Sequence, residues 1–276
     1  MKTLIFTILF FAFCSVSLSQ DNARITDSLI FDEGIKLYKT EMASWYGTDI
    51  FLEKFSSKRE LIGGYFSYLE QDIAKCIFFS NGDNPKVIGT ISFDMTFSVK
   101  TAIADDSDRD LTKYELDLFT IRQKALSEIN SDTLFKEYSN SRLNIIPFIY
   151  NNIKKVYVLT GPQKSGVVIL GNDYLLTFDQ QNNLTLKKQL HANIIEIKYS
   201  PDRKDDISIH SHLPQTGPHI TVTDVCTILL YEKFAKWKQH IVLSDELVTL
   251  WDCKNPRAAT MSRKAWDSIY NTSKEK

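Results

Sequence analysis

Apolar positions change their spacing several times along the 276-residue chain, and each change marks an element. In FDEGIKLYKTEMASWYG, residues 31 to 47, Ile35, Leu37, Met42 and Trp45 recur near helical spacing, which predicts a helix from Asp32 to Trp45 with Gly47 as its stop. Aromatic and β-branched residues then crowd GGYFSYLE, KCIFFS and KVIGTISFDMTFSVK, with the turn residues NGDNP between the last two. These predict an antiparallel meander. DLTKYELDLFTIRQKALSEIN, residues 110 to 130, opens with Thr112 and Glu115 in capping-box spacing and carries Leu116, Phe119, Ile121 and Leu126 on a broad face, so it predicts a helix.

Strand patterns return in KVYVLTG, GVVILGNDYLLTFD, LTLKKQLHANIIEIKY and DISIHSH, joined by the turn-rich GPQKSG, DQQNN and SPDRKDD. Thr221 with Asp224 then starts another helix, whose apolar surface comes from Val225, Ile228, Leu229 and Tyr231. HIVLSDELVTLWDC reads as two strand pieces around a Ser-Asp-Glu turn, and SRKAWDSIYNTSKEK as a closing short helix. The class is therefore α+β, antiparallel meander sheets with flanking helices. The organisation reads as residues 1–19 followed by an N-terminal helix and meander at 20–139 and a second α+β region at 140–276, which is either separate or continuous with the first.

Composition narrows the function. At 43% hydrophobic and 24% charged the chain can bury a core. Its 33 Lys and Arg against 34 Asp and Glu give no basic footing for nucleic acid. MKTLIFTILFFAFCSVSLSQ has a lysine at position 2, an apolar run from Leu4 to Phe13 and the small residues Ser17 and Ser19 before Gln20, so residues 1–19 read as a signal peptide. The protein is then expected to be exported, periplasmic or secreted, with no transmembrane segment after cleavage. Cys76, Cys226 and Cys253 remain. Export would permit a Cys226–Cys253 disulfide; otherwise these are small buried apolar side chains.

The sharpest chemistry lies in DISIHSHLPQTGPHITVTDVCTILLY, residues 206 to 231. All five histidines, His191, His210, His212, His219 and His240, fall between 191 and 240. Strand alternation puts Ile207 and Ile209 on one face and Ser208, His210 and His212 on the other, with the two histidines about 6.6 Å apart. Imidazoles so spaced can converge on one metal at about 2.0 Å each, and Asp224 in the first turn of the next helix can bend back as a third ligand. Water would take the fourth position, with its pKa lowered to about 7. The two histidines equally suit a solvated strand face or a hydrogen-bonded buried pair, and Asp224 equally suits a charge favoured by the helix dipole. His219 is either an exposed loop residue or a spare contact, and His191 and His240 flank strands with no role assigned. GxSxG, HExxH, P-loop and CxxC spacings are absent.

The sequence His210-Ser211-His212, followed by Thr221-x-x-Asp224 at a helix start, resembles the JAMM (MPN/JAB) metalloprotease family over about residues 140–255. The resemblance implies a β-sheet core between helices, zinc held by His210, His212 and Asp224, and hydrolysis of a peptide or isopeptide bond in a peptide or protein partner. Thr221 stands where the family has a serine that bonds the developing oxyanion. Leu213 separates His212 from Pro214, and the loop to Asp224 is one residue longer than the family pattern. The family's general-base glutamate corresponds to Gln163 in GPQKSGVVILG, and an amide cannot take a proton from a metal-bound water. Glu196, alternating away from Ile195 and Ile197 in NIIEIKY, is the alternative base or else an exposed strand carboxylate. The expectation is an exported zinc protein, a divergent or inactive metallohydrolase. Its rival is an exported non-catalytic binding or structural protein that retains the fold.

Overall fold

The computed structural model describes residues 2–71, 73–200 and 207–274, with side chains between residues 26 and 271. The turn expected at SPDRKDD lies largely outside them. The helix expected at 32–45 is part of a longer α1 (Lys2–Lys54), which also includes the segment expected to be a signal peptide. Gly47 does not stop it. A Cβ there would stand 2.6 Å from Cys76 Cβ, so the glycine admits a strand against the helix. Among the described residues no helix is long and apolar enough to cross a membrane.

The meander forms, from β1 (Ile62–Glu70), β2 (Ile73–Ser80) and β3 (Lys86–Phe93), although β3 stops short of the DMTFSVK that the sequence adds to it, and β4 (Ile103–Asp105) and β5 (Arg109–Asp110) both pair to β3. β2 is apolar on both faces because both are covered. Cys76 and Phe78 pack under α1, where Phe51 stacks on Phe78 with centroids 3.8 Å apart. Ile77 and Phe79 face α2 (Lys113–Ser131) through Leu118 and Ile121, in a cluster that also takes in Val156 and Tyr174. One core therefore runs across position 140.

The capping box of α2 forms as its spacing predicts, and Glu115 does more than cap. Its buried carboxylate accepts from Nη1 and Nη2 of Arg109 at 2.7 Å each, from the Tyr68 hydroxyl at 2.8 Å and from the Thr112 amide at 2.8 Å. Burial alone would raise this carboxyl, but Arg109, the Thr112 amide and Tyr68 together hold it down to about 2. A carboxyl lowered on folding stabilises the fold above its unfolded value and stops doing so as pH falls through the folded one. Glu115→Gln should cost about 1–2 kcal/mol in urea unfolding near neutrality, because Arg109, only partly buried, loses its charge partner. The wild-type advantage over this variant should shrink between about pH 4.5 and pH 2.

The second sheet has the order β10-β9-β7-β6, built from β6 (Ser141–Tyr150), β7 (Ile153–Pro162), β9 (Tyr174–Phe178) and β10 (Leu184–Gln189). β6 is not evident in the sequence because Pro147 interrupts it. As an edge strand it tolerates that proline. GVVILGNDYLLTFD is not one strand: Gly171 at φ +92° and Asn172 at φ +54° break it, and β8 (Val167–Gly171) leaves to pair with β11 (Ile194–Lys198). LTLKKQLHANIIEIKY likewise divides into β10 and β11, with His191 in the connection between them.

The last sheet runs β12-β13-β14-β15, from β12 (Ile207–Ser211), β13 (Gln239–Leu243), β14 (Leu247–Asp252) and β15 (Arg257–Ser262), before α4 (Arg263–Lys274). β15, short and built largely of small residues, is not evident from pattern. β12 and β13 are parallel, joined through α3 (Val222–Ala235). α1 packs along α3, and Phe31 meets Trp251 edge-on at 5.8 Å. Cys226 and Cys253 are free thiols, so the disulfide that export would permit is not formed. Cys226 lies in the core with Leu37 and Leu230, whereas Cys253 packs beside Val168 and Trp237.

Candidate metal centre

β12 inverts the usual strand economy: its isoleucines, Ile207 and Ile209, are 58% and 50% exposed, while Ser208 and His210 are buried. Burying imidazoles and exposing isoleucines is unfavourable unless the polar face is satisfied by something of its own. What lies on that face is a cluster of His191, His210, His212 and Asp224, all buried, each offering a ligand atom within 4.8 Å of the others.

Each side chain reaches the cluster by a different route. His210 and His212 come from β12 and its continuation, where the His212 amide donates to the Leu243 carbonyl at 2.7 Å. Asp224 sits in the first turn of α3, placed by the Thr221 cap: the Thr221 amide and hydroxyl donate to Oδ2 at 2.8 and 2.7 Å. His191 arrives from the β10–β11 connection. The left-handed pair Gly171–Asn172 puts Asp173 beneath it, with Oδ2 at 3.2 Å from His191 Nδ1.

The Nε2 atoms face one another. His212 Nε2 stands 3.3 Å from His191 Nε2, 3.1 Å from His210 Nε2 and 3.0 Å from Asp224 Oδ2. Asp224 Oδ1 lies 3.3 Å from His210 Nε2 and 3.6 Å from His191 Nε2. An imidazole nitrogen carries one proton or one lone pair, so it cannot bond to three such neighbours at once. Donor atoms about 2.0 Å from a central ion at tetrahedral angles lie about 3.3 Å apart. The observed separations, 3.0 to 3.6 Å, lie near that edge length, within a set that spans 4.8 Å. Asp224 Oδ1 is also buried without a hydrogen-bond partner, the oxygen the Thr221 cap leaves over. His212 Nδ1 is likewise buried and unpartnered among the described residues.

Outer contacts orient the rings as they do around bound metals. His210 Nδ1 lies 2.8 Å from His240 Nε2, and His240 Nδ1 lies 2.6 Å from Ser208 Oγ. With protons assigned to both Nδ1 atoms, the chain His210→His240→Ser208 is satisfied and His210 Nε2 is left with a lone pair. Burial holds His240 well below the ordinary histidine range, which keeps it neutral in this role. Burial opposes charge on His191 too, but Asp224 and Asp173 raise it to about 9. Asp224, whose burial alone would raise it, is held well below the usual carboxylate range by His191 and His210. The cluster attracts a cation, and without a metal a proton on His191 meets that demand.

His210, His212 and Asp224 thus come together as the sequence suggests, and His191 joins them. His219 instead bonds Asp27 of α1, at 2.8 Å. Thr221 spends its hydroxyl on Asp224 and on Thr223. Glu196 is exposed on β11, and Gln163 is exposed just after β7, its backbone amide bonded to the Asn140 carbonyl. Neither borders the cluster's cavity, a space of about 270 Å³ whose lining includes His191, His210, Asp224, Ile194, Leu213 and Thr216. Neither protein-family models nor the curated proteins nor the solved structures give a match to this chain.

Proposed function

We propose that the chain is an exported zinc-binding protein whose centre, built from His191, His210, His212 and Asp224, is a closed variant of a JAMM-like hydrolase site. The observation that supports it is His191, whose Nε2 stands 3.3 Å from His212 Nε2 and 3.6 Å from Asp224 Oδ1. A catalytic zinc site keeps three protein ligands and an open position, whereas four protein ligands make a structural one. His191 occupies the place that water would need. Three imidazoles and one carboxylate suit zinc; calcium and magnesium want oxygen donors throughout. Zinc, when bound, would tie β12, the start of α3 and the β10–β11 connection to one another.

The donor set also argues against turnover at this site. Among the described residues no glutamate lines the cavity, Gln163 and Glu196 are exposed away from it, and Thr221 is committed to the cap. Hydrolysis of a peptide or isopeptide bond is the second reading, favoured by the cavity of about 270 Å³ that borders three of the four candidate ligands. It requires His191 to swing aside. Export rests on the apolar N-terminal stretch and the small residues before Gln20.

One preparation tests both parts. Protein recovered outside the cytoplasm of an expressing cell should begin near Gln20 and contain about one zinc per chain by elemental analysis. Exported material that still begins at Met1 would refute the signal peptide, and well under one metal per chain after zinc-supplemented growth would refute the centre.

A further inference from the structure

A second polar cavity, of about 170 Å³, lies away from the metal centre, bounded by α1, β1, α2 and β6. Its lining includes Glu41, Tyr65, Ser67, Arg122, Arg142 and Asn144. Arg122 Nε is buried with no hydrogen-bond partner, and neither arginine makes an ion pair or hydrogen bond through its side chain among the described residues. Several other partly buried cations have carboxylate partners: Lys154 meets Asp117, Lys155 meets Glu33 and Arg109 meets Glu115. A guanidinium whose Nε is cut off from water and has no acceptor calls for one.

The carboxyl group in the lining does not fill that need. Glu41 is buried on α1 and accepts from the Asn144 side-chain amide, not from either guanidinium. Burial pushes its carboxyl up to about 8, so near neutrality it is mostly uncharged and leaves the arginines unbalanced. Ser44 Oγ and Ser67 Oγ lie 2.8 Å apart. One of these hydroxyls donates to the other, and Ser67 also bonds the Cys76 thiol. The space is large enough for a phosphate group or a short carboxylate.

We propose that this cavity binds a small oxyanion, a phosphate or carboxylate group, gripped by Arg122 from α2 and Arg142 from β6. Guanidinium forks match both oxyanions in geometry. Arg142 is exposed and Arg122 half-buried, so the ligand enters at Arg142 and ends against Arg122. Because Arg122 precedes position 140 and Arg142 follows it, the anion joins the two regions of the chain.

The test is titration calorimetry of the purified protein in phosphate-free buffer, with chloride holding ionic strength constant. The probes are inorganic phosphate, sulfate and acetate, each run also on His210→Ala protein so that an anion held at a bound metal is told apart. At least one probe should bind at one per chain with a Kd below about 10 mM. Preference for phosphate and sulfate assigns a tetrahedral anion, and preference for acetate a carboxylate. Arg122→Met and Arg142→Ala should each weaken binding at least tenfold. Arg142→Ala, at an exposed position, should leave the melting temperature in chloride unchanged, so loss of binding there is not loss of folding. The proposal is overturned if no probe binds, if binding survives both substitutions, or if it disappears in His210→Ala protein.

Discussion

Replacing His210 with alanine is expected to lower zinc affinity by well over tenfold, at least about 1.4 kcal/mol, and to remove the dependence of the melting temperature on zinc. His210 Nε2 faces Asp224 Oδ1 at 3.3 Å and His212 Nε2 at 3.1 Å, so its loss takes away a neutral imidazole ligand in the middle of the cluster. It also leaves the His240–Ser208 pair with nothing to orient. A metal that binds only the folded chain stabilises it by mass action, by about 2.7 kcal/mol at a free concentration one hundred times its Kd. Wild-type protein should therefore melt higher with zinc than with chelator, and His210→Ala protein should melt alike in both. Asp224→Asn separates binding from capping, because the amide oxygen can still accept from the Thr221 amide while the charge on Oδ1 is gone. It should lose zinc affinity and also lower the chelated melting temperature, because the charge that balances His191 in the metal-free cluster goes with it. If the wild-type melting temperature ignores both zinc and chelator, in protein holding no tightly bound metal, the cluster is a hydrogen-bonded histidine core.

The parts of this centre that local pattern carries were legible. Alternation along β12 puts His210 and His212 on one face, and the Thr221–Asp224 spacing both caps α3 and aims the aspartate. His191 was not legible, because it reaches the site through tertiary geometry: a break at Gly171–Asn172, a strand pair β8–β11 that follows from the break, and Asp173 placed under the ring as a result. Its one trace in the sequence is that every histidine lies between 191 and 240. His240 needed the parallel register that sets it opposite Ser208, which no local spacing reveals. The same limit explains the fold. The meander and α2 are written in patterns of a few residues, whereas β6 hides behind Pro147 and is a strand only because the sheet ends there. α1 continues through Gly47 because Cys76 packs against that glycine, a contact between positions 29 residues apart.

Replacing His191 with alanine should turn a closed centre into an open one. In the wild-type chain the four candidate ligand atoms lie within 4.8 Å of one another around His212 Nε2 and Asp224, and Asp173 holds the fourth ring by its Nδ1. Loss of that ring leaves His210, His212 and Asp224, which is enough to keep a metal at reduced affinity, with the cavity of about 270 Å³ supplying solvent to the vacated position. Cobalt(II) in place of zinc makes the difference visible, since its absorption reports coordination number. The wild-type cobalt protein should show a four-coordinate spectrum that azide does not change, whereas the spectrum of His191→Ala protein should shift with azide and with pH as a bound water ionises near about pH 7. Affinity should fall by about ten- to a hundredfold, because the ring that Asp173 orients is lost while His210, oriented by His240, stays in place. An azide-sensitive wild-type spectrum would mean that His191 leaves a coordination position open. The hydrolytic reading would then displace the closed one, and peptide and isopeptide substrates would become the next assay. A wild-type spectrum indifferent to azide, with sensitivity appearing only on removal of His191, would fix that histidine as the residue that separates this centre from a catalytic one.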